Sequence, residues 1–250
     1  MKIHLRLLAA AAALLLLLPG AAPGEGSSPG LEEFRIRCGD PDSPKIAITM
    51  DDVNEPEWVW KTVELCLYYG VAVTFFPNGV NMKEEDRLNW QIVVDSGCEI
   101  GSHGYYHERF KDDGWQVLYN LGMFEEQVDK VLGYHYEVRW FRPPWGEITD
   151  SNGSQYKNMT LLRRCGYDHY VYWSISETDP DKAAKLVQNG SILLFHARKK
   201  DYECLVKLIP QLLEDGFEPV TVSEMFGFDP PETGGELFVY DGNTYGRLQD

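Results

Sequence analysis

Histidine is scarce in this chain, basic residues are outnumbered, and long apolar runs are missing. Each shortage excludes something. Lys and Arg total 23 against 39 Asp and Glu in 250 residues, a formal charge of -16. That balance argues against nucleic acid and against anionic membrane surfaces as partners. The main apolar run, residues 7–18, is too short for a comfortable membrane span, which needs about 20 apolar residues. Lys2 and Arg6 precede it and small residues with prolines follow at 19–24, the pattern of a secretory signal peptide. The expected location is therefore secreted or cell-surface. An uncleaved anchor is the alternative, and membrane contact is expected only through this segment. Five cysteines have no zinc-ribbon spacing, and an odd count leaves at least one unpaired in an exported monomer. Cys66 and Cys165 lie in apolar, helical-looking stretches and read as core residues; one bridge, with Cys38 as a candidate partner, stays open.

What is present is ample for a packed domain: 44% hydrophobic residues and 13% aromatics. Residues 1–24 read as the signal, 25–44 as a Gly-, Ser- and Pro-rich linker with a short strand at 34–37, and 229–250 as an acidic tail. Between them, residues 45–228 alternate. Strands are expected at 46–50, 71–76, 99–101, 137–141, 167–173, 191–195 and 219–222. Helices are expected at 57–69, 84–96, 115–132, 154–164, 183–188, 204–214 and 223–226. Alternation of this length implies a parallel sheet with helices outside, and about seven such units point to a barrel-like closure. Asp51, His103, Arg142 and His196 then each fall at or just past the C-terminal end of a strand, the face where βα-barrels build active sites.

The chain has six histidines, and three fall in one ordered series: Asp51-Asp52, His103-Gly-Tyr-Tyr-His107, Arg142-Pro-Pro-Trp145 and Leu194-Phe-His196. On a helical turn, the spacing of His103 and His107 would place both imidazoles on one side of one metal ion. Histidines four apart also arise on solvated faces, and Gly104 occupies the position where a zincin protease needs Glu. An Asp pair ending a strand is commonly a helix cap beside a solvated charge. Here a buried strand delivers both carboxylates together, where two anions repel unless a cation lies between them. His196 on its own could be a satisfied core histidine.

Together these segments resemble the polysaccharide deacetylases of the NodB-homology type, a carbohydrate esterase family. Thr49-Met-Asp-Asp-Val53 is similar to the first motif, His103 to His107 to the second, and Arg142 to Gly146 to the third. Trp173 to Asp179 resembles the fourth imperfectly, and Leu194-Phe-His196 the fifth. The resemblance runs from about residue 45 to residue 226 and implies an α/β fold, a distorted (β/α)7 TIM-like barrel. It also implies a metal-dependent amide hydrolase. Asp52, His103 and His107 would hold one divalent ion, with zinc the first expectation and cobalt, nickel or iron as alternatives. Asp51 would be the general base, Arg142 its orienting partner, His196 the general acid and Asp179 the carboxylate that tunes it. Leu194 and Pro144 would shape the acetyl pocket, and Trp145 would offer a face to a sugar ring. The implied partner is an extracellular amino-sugar polysaccharide, of the peptidoglycan or chitin type.

Two departures stand out. Val53 replaces a glycine of the first motif, which narrows the backbone angles open to that position. In the fourth motif Ser176 stands where Asp is common, and no Trp follows Asp179. These departures keep two alternatives alive: an O-acetyl (xylan-type) esterase and a barrel that binds metal and glycan with little turnover. A glycosidase using Asp51 with Glu147 or Asp179 ranks last, because it leaves His103 and His107 without a role.

Overall fold

The computed structural model describes residues 34–110, 114–146, 148, 159, 161–163 and 165–239. The signal segment therefore lies outside the described residues. Among those described, no helix is long and apolar enough to cross a membrane.

The central strand β2 (Lys45–Asp52) follows from its sequence: Ile46 to Asp51 are all buried. It is an apolar run with water on neither face, as a central parallel strand requires. Helix α1 (Glu57–Tyr69) buries Trp58, Val59, Thr62, Val63 and Cys66 as one stripe and stops at Gly70, whose φ of 67° closes the last turn. There follow β3 (Thr74–Pro77), α2 (Arg87–Asp95), β4 (Glu99–Ile100) and α3 (Gly114–Leu132). After β5 (Tyr170–Val171) come α4 (Pro180–Leu186), β6 (Ile192–His196), α5 (Lys199–Glu214), β7 (Glu218–Val220) and α6 (Val222–Met225).

Among the described residues every strand ladder is parallel. Met50 and Asp51 of β2 face Phe75 and Phe76 of β3 on one edge and Phe195 and His196 of β6 on the other. β3 pairs with β4. Closure continues through single parallel bridges: Ser102 to Phe141, Phe141 to Tyr170, and Ile175 back to Leu193 in β6. The result is the α/β architecture of a distorted (β/α)7 barrel. β7 joins only the first half of β2, at Lys45–Ala47. The chain before β2 is built in as well: Phe34 is buried and β1 (Arg35–Ile36) pairs with β5.

The element order matches the sequence-based expectation, with informative differences. Residues 137–141 form no ladder strand. Glu137 gives its N–H to Glu232, and only Phe141 bridges the neighbouring segments. Of the helix expected at 154–164, only Met159 and residues 161–163 are described, and these are helical. All five cysteines are free thiols in the structure, with Cys66 and Cys165 fully buried and Cys38 exposed.

Candidate metal centre

The parallel register fixes the site before any side chain is considered. Asp51 lies opposite His196, Asp52 lies opposite Pro77, and His103 follows β4 directly. All are at the C-terminal rim of the barrel.

At the end of β2 the backbone turns sharply. Asp52 (φ 71°) and Val53 (φ 57°) both adopt the left-handed conformation, and the Val53 N–H bonds to the Asp51 carbonyl. This turn separates the two adjacent carboxylates. Asp51 stays in the core of the barrel while Asp52 faces the cleft. Asn81 clamps the turn by donating from Nδ2 to the Asp52 carbonyl at 3.0 Å. Val53 itself is completely buried. The position where a glycine was expected thus keeps a glycine-like backbone although it carries a β-branched side chain.

His103 and His107 do not lie on a helical turn, which corrects the spacing argument. The segment is an irregular loop carrying Gly104 at φ 77°, pinned by backbone bonds from Gly79 to the Gly104 carbonyl and from Val80 to the Tyr105 carbonyl. Asn78 adds a bond from Nδ2 to the His103 carbonyl. The outcome for the rings is the same. The Nε2 atoms of His103 and His107 lie 3.4 and 3.3 Å from the same oxygen, Asp52 Oδ1.

This trio fits a divalent cation on three observations. Potential ligand atoms of Asp52, His103 and His107 all lie within 4.8 Å of one another. Asp52 Oδ1 is buried yet has no hydrogen-bond partner, and a buried carboxylate oxygen without a partner is costly. His103 Nδ1 lies 2.7 Å from the Arg142 carbonyl, which can only accept. That bond places the ring proton on Nδ1 and aims the bare Nε2 lone pair at the site, as in histidines that ligate metals. Burial raises the Asp52 carboxyl, but the three facing imidazoles, His103 foremost, outweigh it and hold the group below its ordinary value. His107 is held below the usual histidine range, first by burial and then by neighbouring His103.

Arg142 is fully buried and spends its guanidinium inside the barrel. Nη1 donates to Asp51 Oδ1 and to Thr49 Oγ1, both at 2.7 Å, while Nη2 and Nε reach the carbonyls of Tyr172 and Val171. Burial pulls the guanidinium down and Asp51 pushes it back up. The pair leaves Asp51 Oδ2 as the oxygen that faces the site, 3.9 Å from His103 Nε2.

A cavity of about 170 Å³ opens over these groups, lined by Asp51, Asp52, Pro143, Trp145, Trp173, Leu194 and His196 among others. Pro143, rather than the expected Pro144, lines it, although both prolines are buried. Trp145 is 58% exposed, and its backbone is held at φ 63° with its ring 4.8 Å from His107. Larger cavities beside Glu99 and beside Gly70 contain none of the predicted residues, so size alone does not mark the site.

Two predicted residues are placed differently from expectation. Asp179 is exposed and caps α4, accepting from the Lys182 N–H and facing the Lys182 ammonium. It makes no bond to His196, because Pro180 at the first helical position sets Asp179 as the cap. His196 Nε2 points to the cleft, 4.0 Å from Asp52 Oδ2, and its Nδ1 meets Arg198 instead. Glu147 lies outside the described residues. Sequence reasoning missed Thr49, Asn78, Asn81, Trp173, Arg198 and Asp201. Asn78 and Arg198 fall just past expected strand ends, which was their only signal; Thr49 and Trp173 fall inside expected strands.

Comparison with known proteins gives a concordant result. Residues 39–163 match the family model described as polysaccharide deacetylase. A peptidoglycan-N-acetylglucosamine deacetylase of Bacillus cereus is 29% identical over 206 residues, covering 73% of this chain and 88% of the relative. An uncharacterized protein of Bacillus subtilis, YlxY, is 26% identical over 205 residues, covering 78% of this chain but only 61% of its own length. Among solved structures, the Bc1960 peptidoglycan N-acetylglucosamine deacetylase superposes with a TM-score of 0.67 at 25% identity, over 80% of this chain and 96% of that one. A family 4 pseudoenzyme from Bacillus anthracis, BA3943, superposes at 0.66 with 22% identity over 77% and 69%, a likeness of fold alone.

Proposed function

Because the chain belongs to the polysaccharide deacetylase family, we propose that it is a secreted, metal-dependent enzyme that removes N-acetyl groups from an extracellular amino-sugar polymer of the peptidoglycan or chitin type. The observation that carries this reading is the partnerless Asp52 Oδ1 between two imidazole Nε2 atoms, beside an Asp51–Arg142 pair. Asp52, His103 and His107 would hold one divalent ion, with zinc, cobalt, nickel and iron all compatible with this donor set. A bound ion would polarise the acetyl carbonyl and make water a nucleophile near neutral pH.

The remaining chemistry belongs to the chain. Arg142 holds one oxygen of Asp51 and leaves Oδ2 to take a proton from the attacking water. In the loop over the site, Pro143 and Pro144 have no N–H, and those of Arg142 and Gly146 are bonded to Ser102 and Pro143. The Trp145 N–H is the donor left in that loop for a developing oxyanion. His196 presents Nε2 to the leaving atom. Leu194 packs against the acetyl methyl, and the exposed face of Trp145 supports a sugar ring.

A second reading has its own observation. Arg198 donates to His196 Nδ1 at 2.8 Å, so a neutral ring offers the cleft one hydrogen, on Nε2. An amine must be protonated to leave, whereas an alkoxide needs less help, which favours O-acetyl esters. The test is acetate release from the metal-stripped chain reloaded singly with zinc, cobalt or nickel. The panel holds N-acetylglucosamine oligomers, peptidoglycan and acetylated xylan. Metal-dependent release from the amino sugars supports the first reading, and release from xylan alone supports the second. Stoichiometric metal with no release from any substrate refutes both and leaves a metal- and glycan-binding barrel.

A further inference from the structure

Beyond β6 the chain runs His196-Ala-Arg198-Lys-Lys-Asp201 into α5, and these residues close a small bonded circuit. Asp201 is completely buried. Its Oδ1 accepts the backbone N–H of His196 at 3.0 Å, and its Oδ2 accepts Nε of Arg198 at 3.1 Å. The same guanidinium then returns to the His196 ring, Nη2 to Nδ1 at 2.8 Å. One carboxylate thus anchors both the main chain that carries the imidazole and the cation that meets its side chain. We infer that Arg198, locked by Asp201, is the positioning residue that sets which nitrogen of His196 faces the reaction.

The reasoning is one of donors and acceptors. A guanidinium has five N–H donors and no acceptor, so Nδ1 must accept. In a neutral ring the hydrogen then resides on Nε2, the nitrogen that points to Asp52 and the cavity. Flipping the ring would turn a C–H toward Arg198 and lose the bond. The carboxylate expected for this duty, Asp179, is engaged as the cap of α4. Arg198 touches neither the cavity nor the proposed metal ligands, so it acts only through His196.

The inference rests on the proposed role of His196 for its kinetic half, so the test has two arms. The first is a 1H–15N spectrum of the histidine rings in the full metal-free chain, with His196 assigned by its loss in His196→Ala. The wild type is expected to show a protonated Nε2 and a bare Nδ1. Arg198→Met should lose that preference, and Arg198→Lys, which can still donate to Nδ1, should keep it. The second arm is zinc-loaded turnover on the best acetylated substrate. Arg198→Met is expected to lower kcat by about 100-fold with KM and zinc stoichiometry unchanged, and Arg198→Lys to recover part of the loss. A spectrum unchanged in Arg198→Met overturns the inference whatever the substrate. A changed spectrum with unchanged kcat overturns the catalytic consequence. If the wild type turns over nothing, the proposed function falls while the spectrum still decides whether Arg198 orients the ring. Asp201→Asn, with melting followed in parallel, should reproduce the spectral change if the lock is as described.

Discussion

Replacing Val53 by glycine should be no more harmful than replacing it by alanine, although glycine removes more buried carbon. Val53 is fully buried in the main core, yet its φ is 57°. Truncation to alanine deletes two buried methyl groups, about 1.6 kcal/mol at roughly 0.8 kcal/mol each, and leaves the backbone strain untouched. The further step to glycine removes one more carbon, about 0.8 kcal/mol, and adds about 0.5–1 kcal/mol of chain entropy. It also releases about 1–2 kcal/mol of left-handed strain. These terms cancel, so the two variants should agree in stability to within about 0.5 kcal/mol. At Val59, equally buried but in the regular helix α1, no strain is released, and the glycine variant should fall below the alanine variant by about 1.5–2 kcal/mol. Urea denaturation of the four variants at equal slope measures both differences through their midpoints. If the glycine variant at 53 is less stable than the alanine variant by more than about 1 kcal/mol, the position is not strained. The account of how Asp51 and Asp52 are separated would then fail. The strain matters because it sits beside the carboxylate proposed to bind metal, where a non-ideal backbone is held by its surroundings.

Other consequences can be checked on the same preparation. Asp51→Asn should keep zinc stoichiometry and folding while kcat for acetate release drops about 100- to 10,000-fold; a variant that retains wild-type turnover removes Asp51 from the mechanism. Asp52→Ala and His103→Ala should each abolish stoichiometric zinc uptake measured on dialysed protein, and uptake at wild-type level by either would displace the proposed centre. Because burial and His103 hold His107 below 6.5, a proton-NMR titration of the metal-free chain should place the His107 midpoint below that value. In the metal-free chain the unfolded state takes up that proton first. The His107 contribution should therefore leave stability unaffected above 6.5 and diminish it as pH falls from 6.5 to the lower folded value. A His107 midpoint at or above 6.5 would contradict this. Trp145→Ala should raise KM on polymeric substrate several-fold, with kcat nearly unchanged, by removing only a stacking face; a fall in kcat alone would make it part of the chemistry instead.

Much of the molecule is legible in the chain because parallel barrels write themselves as alternation. A buried strand such as β2 needs an unbroken apolar run, and the helices between strands need one apolar stripe, so their order and rough bounds follow from local sequence. The placement of Asp51, Asp52, His103 and His196 at or just past strand ends follows from the same pattern, since strand direction in a parallel sheet puts all C-terminal ends on one rim; Arg142 instead follows Phe141, a single bridging residue. The family resemblance also implied a ligand set of two imidazoles and a carboxylate, His103, His107 and Asp52.

The sequence could not say how those groups meet. The His103–His107 spacing suggested a helical turn, but a loop pinned by Asn78 and by the backbone of Gly79 and Val80 achieves the convergence instead. The resemblance in the fourth motif implied Asp179 as the partner of His196, yet a proline after it made a helix cap the local solution, and Arg198 meets His196 instead. Residues 137–141 had strand composition but bond partly to the chain near Glu232. In each case the deciding partner is distant in sequence, or competes with an equally good local alternative. Propensity and periodicity report what a segment can do alone; which hydrogen bond is finally made depends on what the closed barrel brings within about 3 Å.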